Sequence, residues 1–174
     1  MRTSVLGLWQ NDSPEAVRAN AIAVCRITHF DPRCVASCVV LCLAIRSLLR
    51  EQTGLDLLLK DLANIADEYD SRVREYMEMA LQPDIAALSL DENGIGYTLK
   101  ALAAGIWALI HPKNYRDGIL AVIHEGGDAD TNAAIAGAVL GARFGFSGIP
   151  EEWVNGLLHG KELDSRVDRL IKML

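Results

Sequence analysis

A chain of 174 residues with 51% hydrophobic and 23% charged residues has the composition of one folded domain, far from that of a disordered segment. Its net charge of -6 repels polyanions, and no stripe of Lys and Arg interleaved with aromatics reverses this locally, which excludes nucleic acid as a main partner. The longest apolar run, 34–45, is shorter than the roughly 20 residues of a membrane span, and MRTSVLGLWQNDSPE is not a signal-peptide layout, so a cytoplasmic protein without a membrane partner is expected.

Helical periodicity runs through nearly every segment, with no convincing alternation of apolar and polar residues, so the expected fold is all-α in a single domain over 1–174. Ser13-Pro14-Glu15 supplies an N-cap serine and a first-turn proline for a helix reaching 28–29. Asp31-Pro32 repeats that start for the most hydrophobic helix, which should run to about 51, close at Thr53-Gly54 and lie centrally. Cys34, Cys38 and Cys42 share one stripe of it. With Cys25 they read as small buried hydrophobes, since no Cys-x-x-Cys pair supports a metal site.

Two amphipathic helices, 55–68 and 71–81, follow, with Pro83 breaking the second. Segment 84–96 is the least regular, with a short turn at 85–88 and a loop Asp91-Glu92-Asn93-Gly94 that could border a site. An apolar helix from 96 to 110 ends at His111-Pro112, and another spans 114–123. The helix over 130–144 is rich in Ala and Gly. Glycine inside a helix costs up to roughly 1 kcal/mol relative to alanine, so Gly137 and Gly141 point to close helix contacts. Helices over 149–158 and 163–174 complete the chain.

Chemistry concentrates at Gly126-Gly127-Asp128-Ala129-Asp130-Thr131. The glycines permit a sharp turn that brings two carboxylates and a hydroxyl together at a helix start. Oxygen donors of this kind suit a hard cation such as Mg²⁺, Mn²⁺ or Ca²⁺, and the helix N–H groups suit a diphosphate. The competing reading is a plain helix cap, with Asp130 capping and Asp128 a loop carboxylate. Glu125 is the one nearby candidate for an acid or base, and otherwise a solvated surface glutamate.

The stretch GGDADTNAAIAGAVLGARFG, followed by Ile149-Pro150, resembles the C-terminal signature of the ADP-ribosylglycohydrolase family, which includes the dinitrogenase reductase-activating glycohydrolases. Ile27-Thr28-His29-Phe30-Asp31-Pro32 resembles that family's Thr-His-x-Asp-Pro element, and Met1-Arg2-Thr3 the Met-Arg after its glycine- and asparagine-rich loop. The resemblance implies an all-α, multi-helix orthogonal bundle with two Mg²⁺ or Mn²⁺ ions. It also implies hydrolysis of the glycosidic bond between ADP-ribose and a modified side chain or small molecule. Carried over by position, Asp128, Asp130 and Thr131 are metal ligands, with Asp128 and Asp130 catalytic. His29 faces the ribose or diphosphate, and Tyr97, Gly126 and Gly127 border the substrate.

The chain departs from the family pattern in lacking a Thr-Asp-Asp element and an upstream glutamate, for which Asp67-Glu68 and Asp91-Glu92 do not substitute. The resemblance therefore implies the C-terminal half of a glycohydrolase, without the N-terminal helices and with part of the metal shell. Apolar faces should then be exposed, favouring a separately encoded N-terminal-half partner or a homo-oligomer. A non-catalytic ADP-ribose-binding or structural module, or a truncated remnant, are the alternatives.

Overall fold

Four of the described α-helices start where the sequence supplies a side-chain cap. In the computed structural model, which describes residues 1–50, 54–92 and 94–174, the helices are α1 (Pro14–Cys25), α2 (Pro32–Arg50), α3 (Leu55–Asp67), α4 (Ser71–Met79), α5 (Thr98–Ile110), α6 (Tyr115–His124), α7 (Ala129–Phe144), α8 (Glu151–Asn155) and α9 (Gly160–Ile171). Short 3₁₀ turns occupy Ser4–Gly7, Ile85–Leu88 and Phe146–Gly148, and the described residues form no strand. The expected end of α2 at 51, its closure at Thr53, and Asn93 of the 91–94 loop lie outside the described residues.

Ser13 Oγ accepts the Ala16 N–H at 3.1 Å with Pro14 in the first turn, as the sequence predicts, and Asp70 and Asn114 cap α4 and α6 with their side chains. Helix α1 stops at Cys25, earlier than expected. The Cys25 carbonyl accepts both the Thr28 N–H at 3.1 Å and the His29 N–H at 2.9 Å, and that turn lifts residues 26–29 off the helix. Helix α4 stops at Met79, two residues before the expected end: Leu81 and Gln82 turn back onto Glu78 O and Met79 O at 3.0 and 3.2 Å ahead of Pro83, and the carbonyls of Ala80 and Pro83 accept from His111 Nε2 at 3.0 Å and Trp107 Nε1 at 3.2 Å. Helix α8 spans Glu151–Asn155, shorter than the expected 149–158, and α9 has the expected length but begins and ends three residues earlier, at Gly160 and Ile171. The turn at Ser4–Gly7 carried no signal in the sequence.

Helices α2 and α5 form the centre. Residues 99–109 of α5 are all buried, packed by α2, α4 and α7, while α1, α3 and the Ser4–Gly7 turn cover α2. Helix α2 is long and apolar enough to cross a membrane by length and composition, but 67% of its apolar window is buried by neighbours, the position of a core helix. Cys25 and Cys42 are buried, as expected; Cys34 and Cys38 are half-buried. Burial pushes the Cys25 and Cys42 thiols up to about 12, so both stay protonated. Cys42 Sγ donates to Thr3 O at 3.0 Å and fastens the N-terminus to α2.

The small residues of α7 do let α5 and α6 approach, though the two glycines differ. A side-chain carbon on Gly137 would lie 3.1 Å from Tyr115 Oη and 3.3 Å from Ile119 Cδ1, whereas one on Gly141 would meet nothing within 4 Å. The expected close contact at Gly141 is therefore corrected: that position faces open space. Helices α8 and α9 contribute no buried residue, and Leu163, Val167 and Ile171 lie exposed along one side of α9. Ile27, Phe30 and Ile95 are exposed as well, at 74%, 76% and 63%, leaving apolar surface open beside Thr28-His29 and Gly96.

Candidate active site

Five separate segments meet around one cleft of about 580 Å³. Arg2 comes from the N-terminus, Thr28 and His29 from the turn after α1, and Asp31 and Arg33 from the start of α2. Gly96 and Tyr97 lead into α5, and Thr131 sits in the first turn of α7. Cys25, Cys34 and Cys38 complete the wall between α1 and α2.

At the start of α2, Asp31 Oδ1 accepts the Arg33 backbone N–H at 2.9 Å and thus caps the helix. The same carboxylate holds the Arg33 guanidinium through two further bonds, at 2.8 and 2.5 Å. That guanidinium donates to Tyr97 Oη at 3.2 Å and lies 5.6 Å from the Tyr97 ring centroid, while Tyr76 meets the other ring edge-on at 5.6 Å. Tyr97 is thereby fixed in orientation. Arg33 is the residue that sequence reading missed, since its partners lie two and sixty-four positions away.

The Arg33 pairing holds the Asp31 carboxyl well below the usual carboxylate range, the side-chain bond being the largest cause and the backbone N–H the next. A depressed native value means the stabilisation is present above the unfolded range near pH 4 and is lost as pH falls through the lower native value. Urea unfolding should therefore show Asp31→Asn less stable than wild type at pH 7, with the difference shrinking as pH falls below about 4. A gap that widens in acid would contradict this pairing.

On the same wall, Arg2 Nη2 donates to Thr28 Oγ1 at 2.6 Å, and Thr28 Oγ1 lies 2.7 Å from His29 Nδ1. The Cys25 thiol donates to His29 O at 3.6 Å. The exposed His29 ring is thus tethered by its backbone and by one ring nitrogen.

The signature loop forms the far edge. Gly126 and Gly127 both have left-handed backbones, with φ of 72° and 64°. Helix α7 starts one residue earlier than expected, with Asp128 in the N-cap position and its side chain making no capping bond. The plain-cap alternative, in which Asp130 caps, is not what forms; Asp130 Oδ1 instead accepts the Thr131 N–H at 2.9 Å. That N–H, and then contact with the Asp128 carboxyl, hold the Asp130 carboxyl below its ordinary value. The helix N-terminus favours both anions. Asp128 Oδ2 would lie 3.5 Å from a side-chain carbon on Gly96, so its carboxylate reaches the cleft edge, where Thr131 lines the wall.

Gly126 and Gly127 do not line the cleft; they turn the chain against residues 90–91. Glu125 does not line it either and sits half-buried as the C-cap of α6. The loop behind is pinned by Lys100, whose buried ammonium donates to Ser89 O at 2.5 Å and Glu92 O at 3.5 Å. Lys100→Met should cost about 2 kcal/mol in thermal or urea unfolding, the scale of charged hydrogen bonds lost from a buried site. A variant as stable as wild type would refute that role.

Two neighbouring carboxylates and a hydroxyl at the start of one helix are hard oxygen donors, the chemistry of a Mg²⁺ or Mn²⁺ site. Among the described residues no group of three or more His, Cys, Asp or Glu is placed to hold a metal, so these three groups fit part of a coordination shell.

The family model for ADP-ribosylglycohydrolase matches residues 1–174. ADP-ribosylarginine hydrolase Tri1 of Serratia proteamaculans is 25% identical over 99% of this chain and 45% of its own length. Its namesake from Pseudomonas putida is 36% identical over 43% of this chain and 20% of its own length. A solved chain of an ADP-ribosylglycohydrolase-related protein complex superposes with a TM-score of 0.70 at 25% identity, covering 93% of this chain and 54% of that one. The chain spans about half the length of the curated relatives it matches along nearly its whole length. With its signature segments gathered at one cleft and the family model matching from end to end, the chain belongs to the ADP-ribosylglycohydrolase family.

Proposed function

We propose that this cleft binds the ADP-ribose moiety and forms one wall of a metal-dependent site that hydrolyses the bond between ADP-ribose and a modified side chain. The observation that carries the reading is convergence: Arg2, His29 and Thr131, from three segments that resemble the family's elements separately, line one cleft of about 580 Å³, with Tyr97 beside them. Asp128, Asp130 and Thr131 would hold Mg²⁺ or Mn²⁺. When bound, the cation lowers the pKa of a water and stabilises charge on a sugar oxygen.

The chain's own residues bind and orient. Guanidinium groups of Arg2 and Arg33 offset the charge of the diphosphate, and the fixed Tyr97 ring packs against a ribose. His29 hydrogen-bonds a sugar or phosphate oxygen. The leaving side chain is taken as arginine, on the strength of the hydrolase relatives' names. The test is release of ADP-ribose from an arginine-ADP-ribosylated protein with Mg²⁺, by the chain alone and with an N-terminal half added. No release in either mixture, with both proteins folded, would sink the reading.

A second reading, a binding module without turnover, is favoured by one observation, the two carboxylates and one hydroxyl that make up the candidate metal site. Calorimetric titration with ADP-ribose separates the two: tight binding that needs no metal, joined to no turnover, would support the module.

A further inference from the structure

The chain Arg2–Thr28–His29 has a direction that chemistry dictates. A guanidinium carries only donors, so Thr28 Oγ1 must accept in its 2.6 Å bond from Arg2 Nη2. A hydroxyl has one proton to give. Among the described residues, His29 Nδ1 at 2.7 Å is the one acceptor that the Thr28 hydroxyl meets. Donating there satisfies the hydroxyl as both acceptor and donor. The opposite polarity would give that proton to solvent instead of the ring and would turn a ring N–H toward an oxygen already holding a cation.

We infer that Arg2 and Thr28 are positioning residues that hold neutral His29 in the tautomer protonated on Nε2, so that it meets the cleft as an N–H donor for an acceptor oxygen. Placement supports this. Thr3 beside Arg2 is buried, and its carbonyl accepts the Cys42 thiol at 3.0 Å, so the N-terminus is fastened where Arg2 reaches Thr28. The Cys25 thiol holds the His29 carbonyl at 3.6 Å, and among the described residues no hydrogen bond is made by the ring's outer nitrogen. Asp31 lines the same cleft, but its carboxylate oxygens are engaged by Arg33 at 2.8 and 2.5 Å. A donor fixed in this way selects a ligand oxygen with a lone pair to offer, such as a phosphate or ribose oxygen, and cannot itself take up a proton through Nδ1 while Thr28 donates there.

The tautomer is independent of the proposed function, whereas the identity of the acceptor oxygen rests on it. The decisive experiment uses long-range ¹H–¹⁵N spectra of the ¹⁵N-histidine-labelled chain without ligand, at alkaline pH where the imidazoles are neutral, with His29→Gln assigning its signals. The expected result is an Nε2-protonated ring. Thr28→Val should shift the tautomer ratio toward Nδ1–H by roughly fivefold, the worth of one hydroxyl hydrogen bond, while Thr28→Ser retains the wild-type ratio. Arg2→Met should shift it in the same direction by less. ADP-ribose affinity should fall with Thr28→Val and recover with Thr28→Ser. A ring protonated on Nδ1 in the wild type, or an unchanged ratio in Thr28→Val, would overturn the inference. Wild-type chain that fails to bind ADP-ribose would overturn the proposed function and leave the tautomer standing.

Discussion

Gly127→Ala should lower stability by about 3 kcal/mol, close to the top of what a single methyl group does. Two costs combine. The backbone sits at φ of 64°, where an L-residue is strained, and the added carbon would lie 2.2 Å from Leu90 O and 2.9 Å from Leu90 C. Backbone atoms cannot swing aside as the end of a flexible side chain can, so the 90–91 segment or the Gly127 turn must move. Either motion displaces Asp128, the next residue. For a chain of this length the loss corresponds to roughly 6–12 °C in Tm.

The control is Gly141→Ala. Its carbon would meet nothing within 4 Å inside helix α7, so it should raise stability by about 0.5–1 kcal/mol through helix propensity alone. Thermal or urea unfolding of both variants checks the pair. Equal stability of Gly127→Ala and wild type would mean that the signature loop is not built as described.

Asp128→Asn should abolish metal-dependent release of ADP-ribose, by about 100-fold or more, if the proposed hydrolysis is correct. The substitution replaces an anionic oxygen donor by a neutral amide of the same shape. Without metal, the amide keeps the shape of the side chain and can still donate to the Asp130 carboxylate, and only the modest attraction of an anion to the helix N-terminus is lost, so the variant should stay within about 1 kcal/mol of wild-type stability. Activity and stability thus move apart, which a merely structural aspartate would not allow. Steady-state release assays with Mg²⁺, paired with unfolding curves, read both. Full activity in Asp128→Asn would remove it from the metal shell.

Much of the helical plan was legible because its causes are local. Ser13-Pro14 and Asp31-Pro32 start α1 and α2 through groups within three residues, and Gly126-Gly127 announce a left-handed turn whatever surrounds them. The all-helical fold and the family follow from such patterns. Contacts between distant segments were not legible: the rings of Trp107 and His111 take the carbonyls of Pro83 and Ala80, more than twenty positions back. Gly137 and Gly141 are alike as letters; only the placement of Tyr115 and Ile119 separates them.

The candidate site divides along the same line. The donor types, two carboxylates and a hydroxyl beside a helix start, are legible in the letters alone because their spacing is short and their chemistry is intrinsic to the side chains. Tertiary structure decided what they face. It carried Arg2 across twenty-six positions to Thr28, set Arg33 between Asp31 and Tyr97, and placed Cys34 and Cys38 on the cleft wall while burying Cys42. It also left Glu125 and the two glycines behind the wall. Contacts of that kind depend on how helices pack across long stretches of chain, and no residue's immediate neighbours encode them.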